Sequence, residues 1–437
     1  MNQEEKVLSE KRKQNMKLYS IHRMLTADLL FYYAIKFIFL TQIKGLTAGN
    51  IVLATAFFGI FKVIFQIPTT ILIDRIGSKK SLVLSDFMMA LAVVIVMLST
   101  NLTILILANL VSGISFAIKE VAENGILNKS IPASENKGAI FSKIDAKGLG
   151  NFYFISAVSA CVSGILFEIN GYIPMTICVI ILLIAARVAS LFSEIDDKKQ
   201  EEKIGKEIAL KYGEYFKDLK LAFSFIFHSR RLKALMIFSG VMYGIIMVMN
   251  TYEMGLLQEI ELSSTAIGII YASMQLVAGI ASKQQYKLHE RFKNKTLSVI
   301  GISYTIACLV AGTICVSKVP FGVMVFVVVL AYVVRYICSG SYLVLIKKYI
   351  TNFTNTQMVN KVYSAYGIVT GLGNTLIGLI GTVIVSKYDL KTSVILFGGI
   401  FTLAMFAILK FMKTRVGLKP EEYRKKDINY KEYVSLK

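Results

Sequence analysis

Charged residues are scarce in this chain of 437 residues. Asp, Glu, Lys and Arg make up 18% of it and hydrophobic residues 55%, whereas an average soluble domain is about 25% charged. This scarcity excludes an ordinary water-soluble globule. Apolar runs of about 18 to 25 residues recur along the whole length instead, and each is long enough to cross a hydrocarbon layer roughly 30 Å thick as a helix.

Several chemical signatures are also missing. No phosphate-binding G-x-x-x-x-G-K-[ST] loop occurs, and no H-E-x-x-H or G-x-S-x-G motif falls in an apolar run. The five cysteines have no spacing typical of a metal site or a disulfide framework. We therefore expect neither an enzyme nor a protein with a cofactor or metal, and an ion gradient is the expected energy source for any transport.

The apolar runs predict twelve membrane-spanning helices. Their residues are too continuously apolar for membrane β-strands, and only a helix satisfies its backbone groups within a single segment. The predicted fold is all-α, with spans at about 21–42, 50–73, 81–100, 102–119, 148–167, 172–192, 234–253, 264–282, 296–316, 320–345, 362–384 and 392–411.

The net charge of +21 is distributed on one side of this topology. Of the 49 Lys and Arg, 41 fall in the tails and loops on the side of the N-terminus. This is the positive-inside pattern, which places both termini in the cytoplasm beside acidic lipid headgroups and excludes a nucleic-acid partner. The first 20 residues lack an apolar core with a cleavage site, so the first span is expected to be retained and not to be a signal peptide.

Six predicted spans precede a polar connector and six follow it. We predict a tail at 1–20, a six-helix half at 21–195, a connector at 196–233, a second half at 234–411 and a tail at 412–437. The connector has a helical apolar stripe that either lies on the inner membrane surface or packs on the bundle, formed by Tyr212, Phe216, Leu219, Phe223 and Ile226. Two joined six-helix halves are typical of transporters that rock about a central site.

The loop between the second and third spans carries the most specific motif. It follows the pattern G-x-L-a-D-r-x-G-r-k-x-x-l through Thr70, Leu72, Ile73, Asp74, Arg75, Gly77, Ser78, Lys79 and Leu82. Here the chain resembles the major facilitator superfamily. The resemblance implies a gating role for Asp74, Arg75, Gly77 and Lys79, with Asp74 facing the start of helix 11 near Tyr363 and Ser364.

Helix 4 resembles a second pattern of that family, except that Asn109 stands where an arginine associated with proton coupling is expected. Small faces on helix 11 (Gly367, Gly371, Gly378, Gly381) and on helix 7 (Gly240, Gly244) predict close helix contacts, either between the halves or within one of them.

Charged residues inside a span are candidates for function, because each is costly to bury in lipid. Asp28, Tyr32 and Lys36 follow at helical spacing in the first span. We expect Asp28 to be the proton-coupling residue, with a position near the inner headgroups and a structural pair to Arg23 or another loop base as the alternative. Lys36 has the alternative of reaching outward to the membrane surface.

The family architecture places helices 1, 4, 7 and 10 around a central cavity. The candidates for its lining are Tyr32, Lys36, Lys62, Asn109, Asn250 and Arg335. Glu253 is expected at the outer surface, and Glu123 and Asp145 are expected to pair with the basic loops. All three histidines fall in or near predicted cytoplasmic regions, so proton coupling is expected to use carboxylates.

These observations predict a monomeric secondary transporter of a small organic molecule, driven by protons or another ion, in the plasma membrane of a bacterium. The first hypothesis is efflux of an amphipathic compound. Uptake of an anionic nutrient is the alternative within transport, and a receptor or sensor that does not transport is the alternative outside it.

Overall fold

The computed structural model describes residues 3–132, 137–195, 207–354 and 358–412, and these residues form helices joined by short loops. The helices are α1 (Gln3–Thr26), α2 (Tyr33–Ile38, continued by a π-helical turn at Phe39–Ile43), α3 (Ala48–Ile76), α4 (Ser78–Leu98), α5 (Leu102–Ser130), α6 (Lys137–Ile169), α7 (Tyr172–Ser190), α8 (Glu207–His228), α9 (Arg230–Glu259), α10 (Ser264–Phe292, continued by a 3₁₀ turn), α11 (Thr296–Val316), α12 (Phe321–Phe353), α13 (Val359–Lys387) and α14 (Leu390–Met412).

Within the described residues, 11 helices are long and apolar enough to cross a membrane: α3 to α7 and α9 to α14. A shorter apolar helix, Tyr33–Ile43, stands where the first span is predicted. The chain is an all-α membrane protein, as the length and continuity of its apolar runs predict.

The chain divides into two compact units, each assembled from separate segments. The first contains Met1–Leu46, Ile60–Gly213 and Ser263–Ala272. Its core is built where α4 packs against α5 and α7, and it includes the fully buried Tyr19, Leu82 and Leu127. The second contains Thr47–Gly59, Glu214–Leu262 and Ser273–Lys437, and its closest packing joins α9 to α13 and α11 to α12 and α14.

Glycines let α9 and α13 approach at backbone distance inside the second unit. A Cβ atom added to Gly244 would lie 2.6 Å from the carbonyl oxygen of Gly373, and one added to Gly381 would lie 2.8 Å from Val248. Only a glycine fits such a crossing. The small face predicted on helix 7 therefore packs tightly within the second unit.

The connector helix α8 buries part of its surface against the protein. Ala222, Phe225 and Ile226 are buried, and the carboxylate of Asp218 accepts a hydrogen bond of 2.7 Å from Lys361 at the start of α13. Phe216, a member of the predicted stripe, is exposed. These contacts favour packing on the bundle for the second half of α8, while the side chain of Tyr212 lies outside the described residues.

Candidate functional site

The motif loop turns sharply between α3 and α4 at Gly77. Its φ of +86° and ψ of +154° belong to a region that only glycine adopts readily. A Cβ atom here would also collide with the carboxylate of Glu194, which lies beside the start of α4, where the helix dipole favours negative charge. The sequence therefore needs glycine at this position for two independent reasons.

The other motif residues have different surroundings. Arg75 is exposed, and Lys79 lines a small pocket with Asn15, Lys129 and Glu194. The side chain of Asp74 lies outside the described residues. The predicted contact of Asp74 with the start of helix 11 therefore stays a prediction.

The first predicted span is interrupted by a break, and this corrects the continuous helical stripe expected for Asp28, Tyr32 and Lys36. α1 ends at Thr26, residues 27–32 leave the helix, and α2 starts at Tyr33. The carboxylate of Asp28 accepts a hydrogen bond of 2.9 Å from the backbone N–H of Leu29. Aspartate competes in this way with helical hydrogen bonds, and Phe31 then takes a positive φ of 61°.

Asp28 sits at this break and interacts electrostatically with Lys36 and Lys119. The ammonium of Lys36 lies 5.4 Å from the ring centroid of Tyr32, which is buried. Lys119 is 94% buried on α5, with a relative exposure of 6%, and lies 5.6 Å from the ring of Phe116. The break thus brings one acid and two bases into one region of the first unit.

A second set of charges lies next to this region; we call it the N-terminal network. It comprises His22 and Arg23 of α1 with Asp86 of α4, Glu123 of α5 and Asp145 of α6. The two ring nitrogens of His22 lie 2.9 Å from Asp86 and 3.0 Å from Glu123. A neutral imidazole has a single N–H, so carboxylate oxygens at both nitrogens indicate a protonated His22.

Arg23 completes the network. Its Nη1 donates a hydrogen bond of 2.9 Å to Glu123, and its Nε lies 3.2 Å from Asp145. Asp145 also accepts a hydrogen bond of 2.8 Å from the hydroxyl of Tyr19. Glu123 and Asp145 do pair with basic residues, as expected, but these residues belong to α1. Arg23, the alternative partner proposed for Asp28, makes its ion pairs with Glu123 and Asp145 instead.

Three further cavity candidates have ordinary surroundings. Lys62 forms an ion pair of 2.8 Å with Glu120, and the two side chains are 40% and 59% exposed. Asn109 is buried and donates a hydrogen bond of 2.8 Å to the carbonyl of Leu105 on its own helix. Asn250 is exposed on α9.

The last candidate, Arg335, belongs to what we call the C-terminal pair. Its Nη1 lies 3.1 Å from Oε2 of Glu253, and the side chains are 1% and 0% exposed. Its Nη2 donates a hydrogen bond of 3.2 Å to the hydroxyl of Tyr304, and Tyr332 donates one of 3.3 Å to the carbonyl of Glu253. Glu253 was expected at the outer surface, and that expectation is wrong because α9 continues to Glu259 and packs Glu253 inside.

Comparisons with known proteins agree with this architecture. The chain matches the family model of the Major Facilitator Superfamily over residues 24–334 and 256–432. It belongs to this superfamily, whose members are membrane transporters and not enzymes. A search of the curated proteins found no match.

Solved structures of transporters share the fold at low sequence identity. The nucleoside transporter NupG is 16% identical with a TM-score of 0.67, and 92% of this chain and 99% of that chain are covered. A D-xylose-proton symporter is 13% identical with a TM-score of 0.65, covering 92% and 97%. A POT family transporter in complex with 5-aminolevulinic acid is 13% identical with a TM-score of 0.61, covering 92% and 95%. These likenesses show the fold alone.

Three residues of these sites were not predicted from the sequence: Lys119, Asp86 and His22. Lys119 was counted as a cytoplasmic loop residue because the fourth span was ended at 119, whereas α5 continues to Ser130. The apolar spacing of Ala122, Ile126 and Leu127 is the signal that extends the helix. Asp86 lies within the span predicted at 81–100, so the cost of a charge in lipid marks it as a candidate. His22 was assigned to a cytoplasmic region, yet it is fully buried.

Proposed function

We propose that the chain is a proton-coupled secondary transporter that exports a small amphipathic organic molecule by alternating access. The superfamily match supports transport. Two close helix crossings carry the proposal of alternating access. In each of them a helix of the first sequence half meets a helix of the second.

The first crossing joins the start of α3 to the end of α13, both within the second unit. A Cβ atom on Gly378 would lie 2.6 Å from the side chain of Ala56, and one on Gly59 would lie 2.6 Å from Asn374. The hydroxyl of Thr375 donates a hydrogen bond of 3.1 Å to the carbonyl of Ala56. Small residues let the two helices approach closely in this way, and such faces are suited to helices that separate and meet again.

The second crossing joins the end of α6 to the start of α10, both within the first unit. A Cβ atom on Gly268 would lie 2.5 Å from the carbonyl oxygen of Ala160, and Glu168 accepts a hydrogen bond of 3.0 Å from the N–H of Thr265. All four helix ends belong to the side opposite the basic loops. We infer that each crossing holds one helix of the first sequence half against one helix of the second on that side.

Asp28 is our proposed proton-coupling residue. A carboxylate at a break in a membrane helix, acted on by two lysines, changes its local charge balance when it binds a proton. The same lysines favour uptake of an anionic nutrient as the second candidate function. The distribution of basic residues supports a cell-membrane location with cytoplasmic termini.

The experiment is flux in everted membrane vesicles with an imposed pH gradient, using a panel of organic anions and amphipathic cations. Wild type is compared with Asp28→Asn, and Asp389→Asn, an exposed acid in an outer loop, is the matched control. If a compound accumulates inside the everted vesicles with wild type and the control but not with Asp28→Asn, the result supports proton-coupled export. Gradient-driven flux in the opposite direction selects uptake, and binding without any flux selects the receptor.

A further inference from the structure

Glu253 is a fully buried carboxylate for which the proposed cycle so far has no use. Its relative exposure is 0%, and the Arg335 guanidinium lies at ion-pair distance, 3.1 Å away. Tyr336 and Arg335 both face the carboxylate, but neither carboxylate oxygen has a hydrogen bond of good geometry among the residues that the structure describes, and Nε and Nη1 of Arg335 have no well-aligned acceptor there. The two charges are therefore close together but poorly hydrogen-bonded.

Such a pair is expensive to bury. Removing two charges from water costs several kcal/mol per ion, and their attraction offsets this only when the remaining lone pairs and N–H groups are also bonded. A protonated carboxylic acid is neutral, so its transfer from water to the protein interior costs far less free energy than that of a carboxylate. The geometry at Glu253 therefore suits a group that alternates between a charged and a neutral form.

Arg335 has partners of its own that do not depend on Glu253. Its Nη2 is bonded to Tyr304, and its guanidinium carbon lies 5.3 Å from the ring centroid of Tyr304 and 5.1 Å from that of Tyr332. Cation–π contacts of this kind stabilise a desolvated guanidinium. A proton arriving on Glu253 would break the ion pair and leave the arginine still supported.

The groups that face Glu253 leave few other places for a proton. α11 contributes Tyr304 and Cys308, and α12 contributes Tyr332, Tyr336 and Arg335. Tyr252 precedes Glu253 on α9. It donates a hydrogen bond to the carbonyl of Gly381 in α13 and packs its ring on Phe397 of α14. Of these described groups, Glu253 is the one whose ordinary pKa lies below neutrality.

We propose that Glu253 is a proton-binding site in the second unit, with Arg335 as the counter-ion of its ionised form. This proposal rests on the proposed function and adds to it a second carboxylate beside Asp28. The proton adds to a carboxylate oxygen of Glu253, the ion pair with Arg335 opens, and the cluster gains one positive charge until the proton leaves.

The test is an infrared pH titration of the purified, lipid-reconstituted protein, which follows carboxylic acid and carboxylate bands and needs no substrate. Wild type is compared with Glu253→Gln. Glu261→Gln is the matched control, since Glu261 is an exposed acid just beyond the same helix. We expect Glu253→Gln to lose the titration of about one carboxyl group per chain and the control to retain it. An unchanged titration in Glu253→Gln would overturn the proposal.

The proposal can still be tested if Glu253→Gln fails to fold. Glu253→Gln permanently removes the counter-ion of Arg335, so the double variant Glu253→Gln, Arg335→Met provides a second measurement with the charges balanced. It is expected to show the same loss, and a retained titration overturns the proposal as well. Because no substrate is used, loss of titration in a protein that carries no compound in vesicles would support the proton site and count against transport. Flux in vesicles with a protein in which Glu253 does not titrate would support transport and overturn the proton site.

Discussion

The two sequence halves bury their charges in different ways. In the N-terminal network both oxygens of Glu123 are bonded, one to His22 and one to Arg23, and Asp86 and Asp145 have partners of their own. In the C-terminal pair Tyr336 and Arg335 face Glu253, but neither oxygen of Glu253 receives a hydrogen bond of good geometry within the described part of the chain. The first arrangement ties four helices together, whereas the second joins α9 to α12 through the Glu253–Arg335 ion pair and one hydrogen bond from Tyr332 to the carbonyl of Glu253.

This contrast separates two uses of buried charge. A network whose members are nearly all bonded stabilises one arrangement, since any change strands a partner. A pair with unbonded atoms loses little when a proton removes one charge. We therefore expect the N-terminal network to contribute mainly to stability and the C-terminal pair mainly to function.

The largest loss of stability is expected when the N-terminal network is broken at its centre. Glu123→Ala leaves His22 and Arg23 buried beside fewer acids, and removing one partner of a buried ion pair costs about 3–5 kcal/mol. The measurement is thermal unfolding in detergent, with Glu120→Ala as the control on the same helix. Glu120 is 59% exposed in its pair with Lys62, so its loss should cost at most about 1 kcal/mol. Equal melting temperatures for the two variants would show that the network does not hold the helices together.

The next prediction tests the opposite expectation for the C-terminal pair. Replacing both charges with apolar residues in Glu253→Leu, Arg335→Met should leave stability unchanged or raise it by about 1–4 kcal/mol, because buried pairs often give less stability than apolar residues of similar volume. The single variant Arg335→Met should be less stable than the double variant, since it leaves Glu253 without its counter-ion. A double variant as unstable as Glu123→Ala would remove the distinction between the two clusters.

A smaller effect is expected at the edge of the first unit, where the motif loop meets Glu194. Gly77→Ala should cost about 1–3 kcal/mol, because its backbone conformation is nearly exclusive to glycine and its Cβ would displace Glu194. Gly45→Ala is the matched control. It also has a positive φ, +64°, but nothing lies within 4 Å of an added Cβ, so its cost should be lower. Thermal unfolding of the two variants compares them, and the reverse order would contradict the role of the Glu194 contact.

The fold was largely predictable because membrane helices follow from one property, the length of an apolar run. The break in the first span was not, since Asp28 and Lys36 have helical spacing and that spacing does not show that the Asp28 carboxylate bonds to the backbone N–H of Leu29. Arg335 was found from its position within an apolar run. Its partner was missed because Glu253 falls at the end of a predicted span, where a few residues of helix length decide between burial and exposure.

The N-terminal network was also beyond the sequence alone, since its members come from four helices and neither distance nor burial can be read from spacing. Lys119 lies at the predicted end of the fourth span and Glu123 lies past it, where charged residues resemble a loop. The general cost of a buried charge points to such residues once the helix is extended. It does not tell which acid meets which base.

The smallest expected effect concerns Lys62, which the sequence places in the middle of a span and the structure pairs with Glu120 at 2.8 Å. Both side chains are substantially exposed, so solvent screens the pair and Lys62→Met should change stability by about 0–1 kcal/mol. Thermal unfolding of Lys62→Met beside Glu120→Ala checks this, and the two losses should be similar because each removes the same contact. A loss several times larger for Lys62→Met would mean that Lys62 contributes more than its pair with Glu120 and belongs with the buried charges of the first unit.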